Sequence, residues 1–365
     1  MLPTLLLVLF AAAAQPLPAP PPPALRIRAA DMSALGVIDC DMACNKFRAS
    51  ATSPAEDALR ILARAGFNTV RLRVWVNPLA NHSEGNSTYV ANMAVRTAAA
   101  NLSLWIDFHL SDWWADPGHQ TKPAAWAQLP LPGLVSAVAA HVRSVLQLIS
   151  ARAPAARVSV VQVGNEISPG VLWPLEGQGC GDSGRVDAPC GDNWPALGAL
   201  IGAGIAAARE AAPGAAIAVH TDLGNRGGRA AEAAEWFYAR FAQALPAGVD
   251  YDAIALSYYL KYNASGPAAE APLAAALRAA FPGKRLLIAE TSYPWAGGAA
   301  PAPGPWPATP EGQLQFWRAT VGNASAAGID GVAWWGGEYA GDWTALFDGN
   351  YVALPALLNG FSQAP

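Results

Sequence analysis

The sequence predicts a single (β/α)8 barrel, in which eight parallel strands are enclosed by helices. Eight apolar, β-prone runs alternate with alanine-rich stretches of helical period, and no change of composition marks a second domain. The chain has 365 residues, which suits one barrel with extended loops, since such barrels have typically about 250 residues and sometimes over 400. No Gly-x-Gly-x-x-Gly follows any of the runs, which argues against an open sheet that binds a dinucleotide.

The elements follow one another at regular intervals along the chain. The predicted strands are 25–30, 69–76, 102–109, 158–164, 216–220, 251–258, 285–290 and 331–335. The predicted helices are 54–65, 89–100, 131–151, 194–212, 230–242, 271–280 and 310–327. Ser53-Pro54 and Thr309-Pro310 each place a capping side chain before a proline at the first helical position, which predicts two of the helix starts.

Residues 1–24 are predicted to be a secretion signal followed by a proline-rich tether. Residues 5–14 give a short apolar core and small residues suited to cleavage, and 16–23 should be an extended polyproline segment. A single folded domain is therefore predicted to span 25–365. No later segment approaches about 18 uninterrupted apolar residues, so the mature chain is expected to be soluble and extracellular.

Composition narrows the class of partner. The net charge is -4 with only 14% charged residues, and lysines and arginines are scattered, which excludes an electrostatic footprint for nucleic acid or an anionic membrane. Fourteen tryptophans indicate a sugar-binding cleft, because a pyranose presents an apolar C–H face to a flat ring, although some are expected to be core residues. We expect a monomer that binds a neutral polysaccharide.

The four cysteines agree with an oxidising compartment. Cys180 and Cys190 bracket a polar loop and are expected to pair, as are Cys40 and Cys44, although three connectivities remain open. No histidine pair accompanies them, which argues against zinc. Five sequons predict glycosylation if the host is eukaryotic, at Asn81, Asn86, Asn101, Asn263 and Asn323.

Two glutamates stand where buried strands are predicted to end. Glu166 follows the fourth strand and Glu290 closes the seventh, so in a barrel they should face one another across the mouth. A carboxylate after a buried strand is costly to hold without a partner, and two in matching positions suggest acid/base and nucleophilic chemistry at a sugar. The competing interpretation is a structural ion pair.

Three segments carry a resemblance to a known family. Residues 66–78, 106–126 and 163–167 are similar to the corresponding segments of glycoside hydrolase family 53, the arabinogalactan endo-β-1,4-galactanases. The likeness extends from about residue 30 to the region of Phe347 and Asp348. The run 106–126 is specific to the family, whereas Asn165-Glu166 alone would mark only the larger clan of retaining barrel glycosidases.

The resemblance implies roles for individual positions. Glu166 matches the general acid/base and Glu290 the nucleophile. Asn165 matches the residue that binds the sugar 2-hydroxyl, and Arg71 matches an arginine that keeps the nucleophile ionised; Arg73 shares its strand face, so the choice between them depends on the resemblance.

Three further positions match residues that contact the substrate or nucleophile: His109, Tyr259 and Trp335. His109 also has a structural interpretation as a satisfied histidine, and Trp335 as a core aromatic residue. Asp107, Asp112 and Asp116 do not have the spacing of a calcium or zinc site and are expected to form caps or loop hydrogen bonds.

The chain departs from the family pattern after strand eight. Trp335 is followed by Gly336-Gly337-Glu338 where the family usually has Trp-Glu-Pro, and Leu260 stands where a proline is common. These changes bear on the outer sugar subsites and on any calcium-binding loop; no cofactor is predicted to be required, and neither calcium nor another metal site is predicted. The resemblance implies cleavage of internal β-1,4-galactosidic bonds, with another β-glycanase of the clan (mannan, xylan or glucan) or a non-catalytic carbohydrate-binding barrel as alternatives.

Overall fold

Eight parallel strands close into a barrel in the computed structural model, which describes residues 25–39, 45–79, 83–297 and 303–361. Each strand pairs in parallel with the next along the chain, and the first pairs with the last. The strands are β1 Ile27–Asp31, β2 Thr69–Val74, β3 Ser103–Phe108, β4 Arg157–Val163, β5 Ala216–Thr221, β6 Ala253–Ser257, β7 Arg285–Thr291 and β8 Gly331–Trp334. The predicted fold is confirmed; the signal and tether, the Cys40–Cys44 pairing and Asn81 lie outside the described residues.

The seven predicted helices are also present. Within the described ranges the helices are α1 Leu35–Ile38, α2 Ala58–Arg64, α3 Ser87–Ala99, α4 Leu131–Arg152, α5 Trp194–Ala211, α6 Ala230–Ala244, α7 Glu270–Ala280, α8 Pro310–Ala326 and α9 Pro355–Asn359. The short α1 and α9 were not predicted. The loop after β4 carries a small antiparallel ribbon, Gly170–Val171 with Gly184–Arg185, and the predicted Cys180–Cys190 disulfide.

The two predicted helix starts have different outcomes. Thr309 caps α8 as predicted, with its hydroxyl accepting the Gly312 N–H and Pro310 in the first turn. The prediction for Ser53-Pro54 is wrong, because Glu56 pairs with Phe47 as an antiparallel bridge and keeps the chain extended up to Asp57. The Asp57 carboxylate then caps α2 by accepting from Leu59 N–H.

Helix α4 is long and apolar enough to cross a membrane by length and composition alone, and within the described ranges no other helix is. Its buried residues recur every three or four positions, at Leu134, Val138, Val142, Val145 and Ile149, and they join the core between helices and barrel. This one-sided pattern is typical of an outer helix of a barrel.

The barrel interior explains where polar residues collect. Small and aliphatic side chains such as Ala29, Val160, Ala218 and Ala255 fill the lower interior. Because side chains alternate along a strand, the next inward position toward the carboxyl end carries a polar residue on most strands. These residues are Asp31, Arg71, Arg73, Asp107, Gln162, His220 and Ser257, all of them buried.

Glu290 joins this group through an irregularity in β7. Leu287 and Ala289 face the interior, so strict alternation would turn Glu290 outward together with Ile288. The pairing with β6 shifts register at this point, from Leu256 opposite Ile288 to Ser257 opposite Glu290. The extra residue in β7 is a bulge, which re-aims the Glu290 side chain into the barrel mouth.

Candidate active site

A cavity of about 170 Å³ opens at the carboxyl ends of the strands. All seven residues that the sequence singles out line it: Glu166, Glu290, Asn165, Arg71, His109, Tyr259 and Trp335. Seven other residues complete its wall: Asp31, Arg73, Trp114, Ala115, Asp116, Lys261 and Tyr262. The structure therefore brings together seven predicted side chains that are up to 264 positions apart, from Arg71 to Trp335.

Arg71 is the centre of the buried charge network. Its guanidinium lies 2.7 Å from Asp31, 2.9 Å from Asp107 and 2.8 Å from Glu290. Burial by itself would lower the pKa of Arg71, but the charges of Asp107, Glu290 and Asp31 outweigh it and hold the pKa above its usual range. Arg71 is thus a permanent positive charge at the base of the cavity.

Glu290 is held on both oxygens. Oε1 accepts from Arg71 Nη2 at 2.8 Å, and Oε2 accepts from the Tyr259 hydroxyl at 3.0 Å. Burial, with the charges of Asp107 and Asp31, raises the pKa of Glu290 to about 7, although the Arg71 charge and the Tyr259 hydrogen bond oppose that rise. The two contacts place negative charge on Glu290 in preference to its neighbour Glu166.

Glu166 has the opposite environment. Its backbone is in the left-handed region at φ 50°, after Gly164 at φ 86°, where an added Cβ would lie 2.6 Å from the Ile167 side chain. Burial first and the Glu290 charge second raise its pKa well above the usual value, and a hydrogen bond from Ser257 lowers it. No cation pairs with Glu166 within the described part of the chain, so a proton shared by the two glutamates is held on Glu166.

Ser257 and His220 support Glu166 and were missed by sequence reasoning. The Ser257 hydroxyl is 2.6 Å from Glu166 Oε1 and 3.0 Å from His220 Nε2. His220 Nδ1 lies 2.9 Å from Asn165 Oδ1, and burial holds the pKa of His220 well below its usual range. Both residues are inward-facing, two positions beyond a small interior alanine, and this alternation is the signal that would have found them.

Asn165 is fixed by hydrogen bonds to its side chain and to its backbone. Its carbonyl oxygen accepts from Arg71 Nη2 at 2.9 Å and from Gln162 Nε2 at 3.0 Å, and its amide nitrogen donates to Ala115 O at 2.8 Å. The Gln120 side-chain amide donates to the main-chain carbonyl of Asn165 at 2.8 Å and stabilises the turn that carries Glu166. These bonds fix the orientation of the Asn165 amide relative to the cavity.

His109 uses both ring nitrogens within the protein. Nδ1 accepts from Ala115 N–H at 2.9 Å, so the proton is on Nε2, which donates to Asp107 Oδ2 at 3.0 Å. Burial keeps the pKa of His109 below its usual value. The histidine lines the cavity, but its hydrogen bonds position Asp107 and the 110–115 loop.

The three aspartates of this segment separate into two kinds. Asp112 accepts from Asn77 N–H and Ala124 N–H, and Asp116 accepts from Gly118 N–H, which are the expected loop hydrogen bonds. The expectation is wrong for Asp107, which is fully buried and bound to Arg71 and His109 because it faces inward on β3. No metal-binding cluster occurs among the described residues.

Arg73 lies between two aromatic rings rather than in the ion-pair network. Its guanidinium carbon is 4.2 Å from the Trp75 ring centre and 3.8 Å from that of Trp114. Its Nε and Nη2 are buried and have no hydrogen-bond partner in the part of the chain described. Arg73 therefore presents unused donors at the cavity wall.

The segment after β8 stays part of the cavity despite its unusual sequence. Trp335 lines the cavity, with its ring centre 6.2 Å from Trp114 and 6.3 Å from Tyr339. Gly336 takes φ 73°, and Glu338 turns into the interior, where its carboxylate accepts from Ala34 N–H at 2.9 Å. Burial and the nearby Asp31 raise the pKa of Glu338 to about 8. The turn at Gly336 and Gly337 thus allows Glu338 to link the β8 loop to the β1 loop.

Comparison with known proteins places the chain in a family. The model of glycosyl hydrolase family 53 matches residues 27–359. A probable arabinogalactan endo-beta-1,4-galactanase A of Aspergillus terreus is 32% identical over 278 residues, which cover 74% of this chain and 72% of that protein. An uncharacterized protein of Niallia circulans is 37% identical over 240 residues, 66% of this chain but only 61% of its own length.

A solved structure agrees with this match. The GH53 catalytic domain of Ignisphaera aggregans superimposes with a TM-score of 0.79 at 28% identity, over 95% of this chain and 99% of that one. The family model covers nearly the whole barrel, from the start of β1 to the end of α9. The chain belongs to glycosyl hydrolase family 53.

Proposed function

We propose that the chain is a secreted, retaining glycoside hydrolase that cuts internal β-1,4-galactosidic bonds of galactan or arabinogalactan. One observation carries the proposal: a buried glutamate, Glu290, and a half-buried one, Glu166, share one cavity in opposite environments, Glu290 with a cation and Glu166 with none among the described residues. A glycosidase of this type needs one carboxylate ionised and one carboxyl protonated at the same pH. The Aspergillus terreus relative, named a probable arabinogalactan endo-beta-1,4-galactanase A, supports galactan as the polymer.

In the first step, a Glu290 oxygen attacks the anomeric carbon and the bond from that carbon to the glycosidic oxygen breaks. The electrons of the broken bond go to the leaving oxygen, which takes the proton of Glu166. The Arg71 and Tyr259 contacts favour the ionised form of Glu290 and fix its orientation before attack.

In the second step, a water molecule attacks the same carbon. Glu166, now a carboxylate, takes a proton from this water, and the ester bond to Glu290 breaks. The pKa of Glu166 falls during the intermediate, because the negative charge of Glu290 that raised it has been consumed in the ester. The same residue therefore serves as acid and then as base.

Three neighbours complete the proposed site. Asn165 has a second amide hydrogen that makes no bond within the described residues and that we assign to the sugar 2-hydroxyl, a contact that strengthens in the transition state. Trp335 supplies an aromatic face beside the cleavage point. His109 stabilises this wall of the cavity by hydrogen bonds with Asp107 and with the backbone of Ala115.

The proposal also covers the mature form of the chain, its location and its partners. We propose that the mature chain begins after the 1–24 signal and tether, acts as a monomer outside the cell, needs no cofactor, and binds neither nucleic acid nor membrane. The overall charge of -4 and the paired ions of the site favour a neutral polymer.

Product analysis tests the proposal. Purified protein is incubated with β-1,4-galactan, mannan, xylan and β-glucan, and the reducing sugars and oligosaccharides released are measured. Release of short oligosaccharides from galactan, with the newly formed anomer having the same configuration as the substrate by NMR, is expected. Preference for another polymer, inverted product or binding without turnover would each refute a stated part of the proposal.

A further inference from the structure

A second cavity, of about 1080 Å³, lies beside the catalytic one at the barrel mouth. Tyr262 lines both cavities. Two loops also run from one to the other: Asp116 lines the first and Pro117 the second, and Glu166 lines the first and Ser168 the second. The second cavity therefore begins on the Glu166 side of the site.

The volumes of the two cavities indicate that a bound polymer would occupy both of them. Pockets that enclose a small ligand have about 300–1,000 Å³. The catalytic cavity, at about 170 Å³, is below that range, and the second cavity reaches its upper end. A polymer that is bound at the catalytic glutamates must therefore extend into other space, and the second cavity is large enough for several sugar rings.

An exposed tryptophan stands in the wall of the second cavity. Trp236 on α6 is 54% exposed. Arg240 lies 4.9 Å from its ring centre, and Trp194 packs edge-on at 5.5 Å, so the ring is held from within the helix layer. A fixed aromatic ring with an open surface suits the apolar C–H face of a sugar.

The charges around this cavity are mutually neutralised. Arg226 pairs with Asp222 at 2.9 Å, Arg229 pairs with Glu232 at 3.5 Å, and Asp187 pairs with an arginine of the loop ribbon. The charged residues that line the cavity are two arginines and two carboxylates, so the lining has no excess positive charge that would select an anionic ligand. Paired polar groups around an aromatic surface fit a neutral carbohydrate.

We propose that the second cavity holds the leaving-group end of the polysaccharide, with Trp236 as a stacking platform. The inference rests on the proposed function: Glu166 protonates the leaving oxygen, so the sugars beyond that oxygen lie on the Glu166 side, where this cavity begins. Binding there places α6, an outer helix of the barrel, among the elements that determine the chain length of the substrate.

Two substrates test the inference with the Trp236→Ala variant. On β-1,4-galactooligosaccharides long enough to reach the cavity, kcat/KM is expected to fall about tenfold, the loss of about 1.4 kcal/mol of transition-state binding. On an aryl β-galactobioside, whose phenol leaving group does not reach α6, kcat/KM should be unchanged. Trp236→Phe, which keeps an aromatic ring, should retain most of the activity on both.

Controls separate binding from folding and from the proposed function. Leu358→Ala, which removes another exposed apolar side chain on α9, should behave as wild type on both substrates. An equal loss on both substrates, or no loss on the long ones, would overturn the role of Trp236 while leaving galactan hydrolysis established. If the unmodified protein releases nothing from galactan, the proposed function fails first and the inference falls with it.

Discussion

Removing the Ser257 hydroxyl should change the pH dependence of the reaction in one direction. Ser257 donates to Glu166 at 2.6 Å, which stabilises the ionised form and lowers the pKa of that carboxyl. In Ser257→Ala the pKa of Glu166 should therefore rise further. The acid form of Glu166 then persists to higher pH, and the alkaline limb of kcat/KM should move upward.

The size of the shift follows from the hydrogen bond. A hydrogen bond to a charged group contributes about 1.5–3 kcal/mol, and one pKa unit corresponds to about 1.36 kcal/mol. Because the neutral carboxyl also bonds a hydroxyl, we take the lower end and expect a shift of about one pH unit. The acid limb, which reports the ionisation of Glu290, should stay in place.

The measurement is a full pH profile of kcat/KM on an aryl β-galactobioside. Ser292→Ala is the matched control, since Ser292 lies two positions after Glu290 and its buried hydroxyl has no hydrogen-bond partner within the described ranges. Its profile should match wild type. If the alkaline limb of the Ser257→Ala profile lies at the same pH as in wild type, or at lower pH, the role of Ser257 as a hydrogen-bond donor to ionised Glu166 is refuted.

Three further variants test other parts of the structure. Glu290→Gln should lower kcat more than about a thousandfold with an unchanged thermal unfolding midpoint, and retained galactan hydrolysis would contradict its role. Glu270 is buried in an apolar pocket, its oxygens have no hydrogen-bond partner among the described residues, and burial raises its pKa. The folded protein therefore binds this proton more tightly than the unfolded chain, so the free energy of unfolding should fall as the pH rises from the ordinary glutamate pKa of about 4.5 toward the raised pKa of the folded state. Glu270→Gln should remove that fall and raise the free energy of unfolding at neutral pH by about 1–3 kcal/mol, measured by urea denaturation at several pH values; an unchanged pH slope would refute it. The double variant Cys180→Ser, Cys190→Ser should lower the free energy of unfolding by up to about 3 kcal/mol, and no change in the urea midpoint would show that the loop is ordered without it.

Alternation of apolar runs and helical stretches was sufficient to predict the barrel. The strands begin and end within two residues of their predicted bounds because buried parallel strands are nearly continuous apolar runs. The predicted start of α2 was wrong because a tertiary contact determines where the helix begins. The bridge between Glu56 and Phe47 outweighs the local helix-start preference of Ser53-Pro54. Local signals cannot report a partner nine residues away.

The candidate site was predicted in part from pattern and in part from resemblance. Because side chains alternate along a strand, Arg71 and Arg73 were predicted to lie on the same face of β2, and both line the cavity. Strict alternation along β7 would have turned Glu290 away from the site, because the bulge in β7 leaves no mark in the sequence; its position at the strand end and the family resemblance brought it to the mouth. Ser257 and His220 were missed because a serine and a histidine at strand ends carry no motif, although their positions on the inward face are readable.

The contacts of Arg71 have a consequence for how the enzyme becomes active during folding. Arg71 on β2 joins Asp31 on β1, Asp107 on β3, Gln162 on β4 and Glu290 on β7, so its partners include residues from both sides of β8. Asp31 and Glu290 come within reach of the same guanidinium only when β8 has closed the ring. Without β8, Glu290 would be an ordinary ionised carboxylate with nothing to hold it against Arg71, so the geometry of the site depends on the last strand.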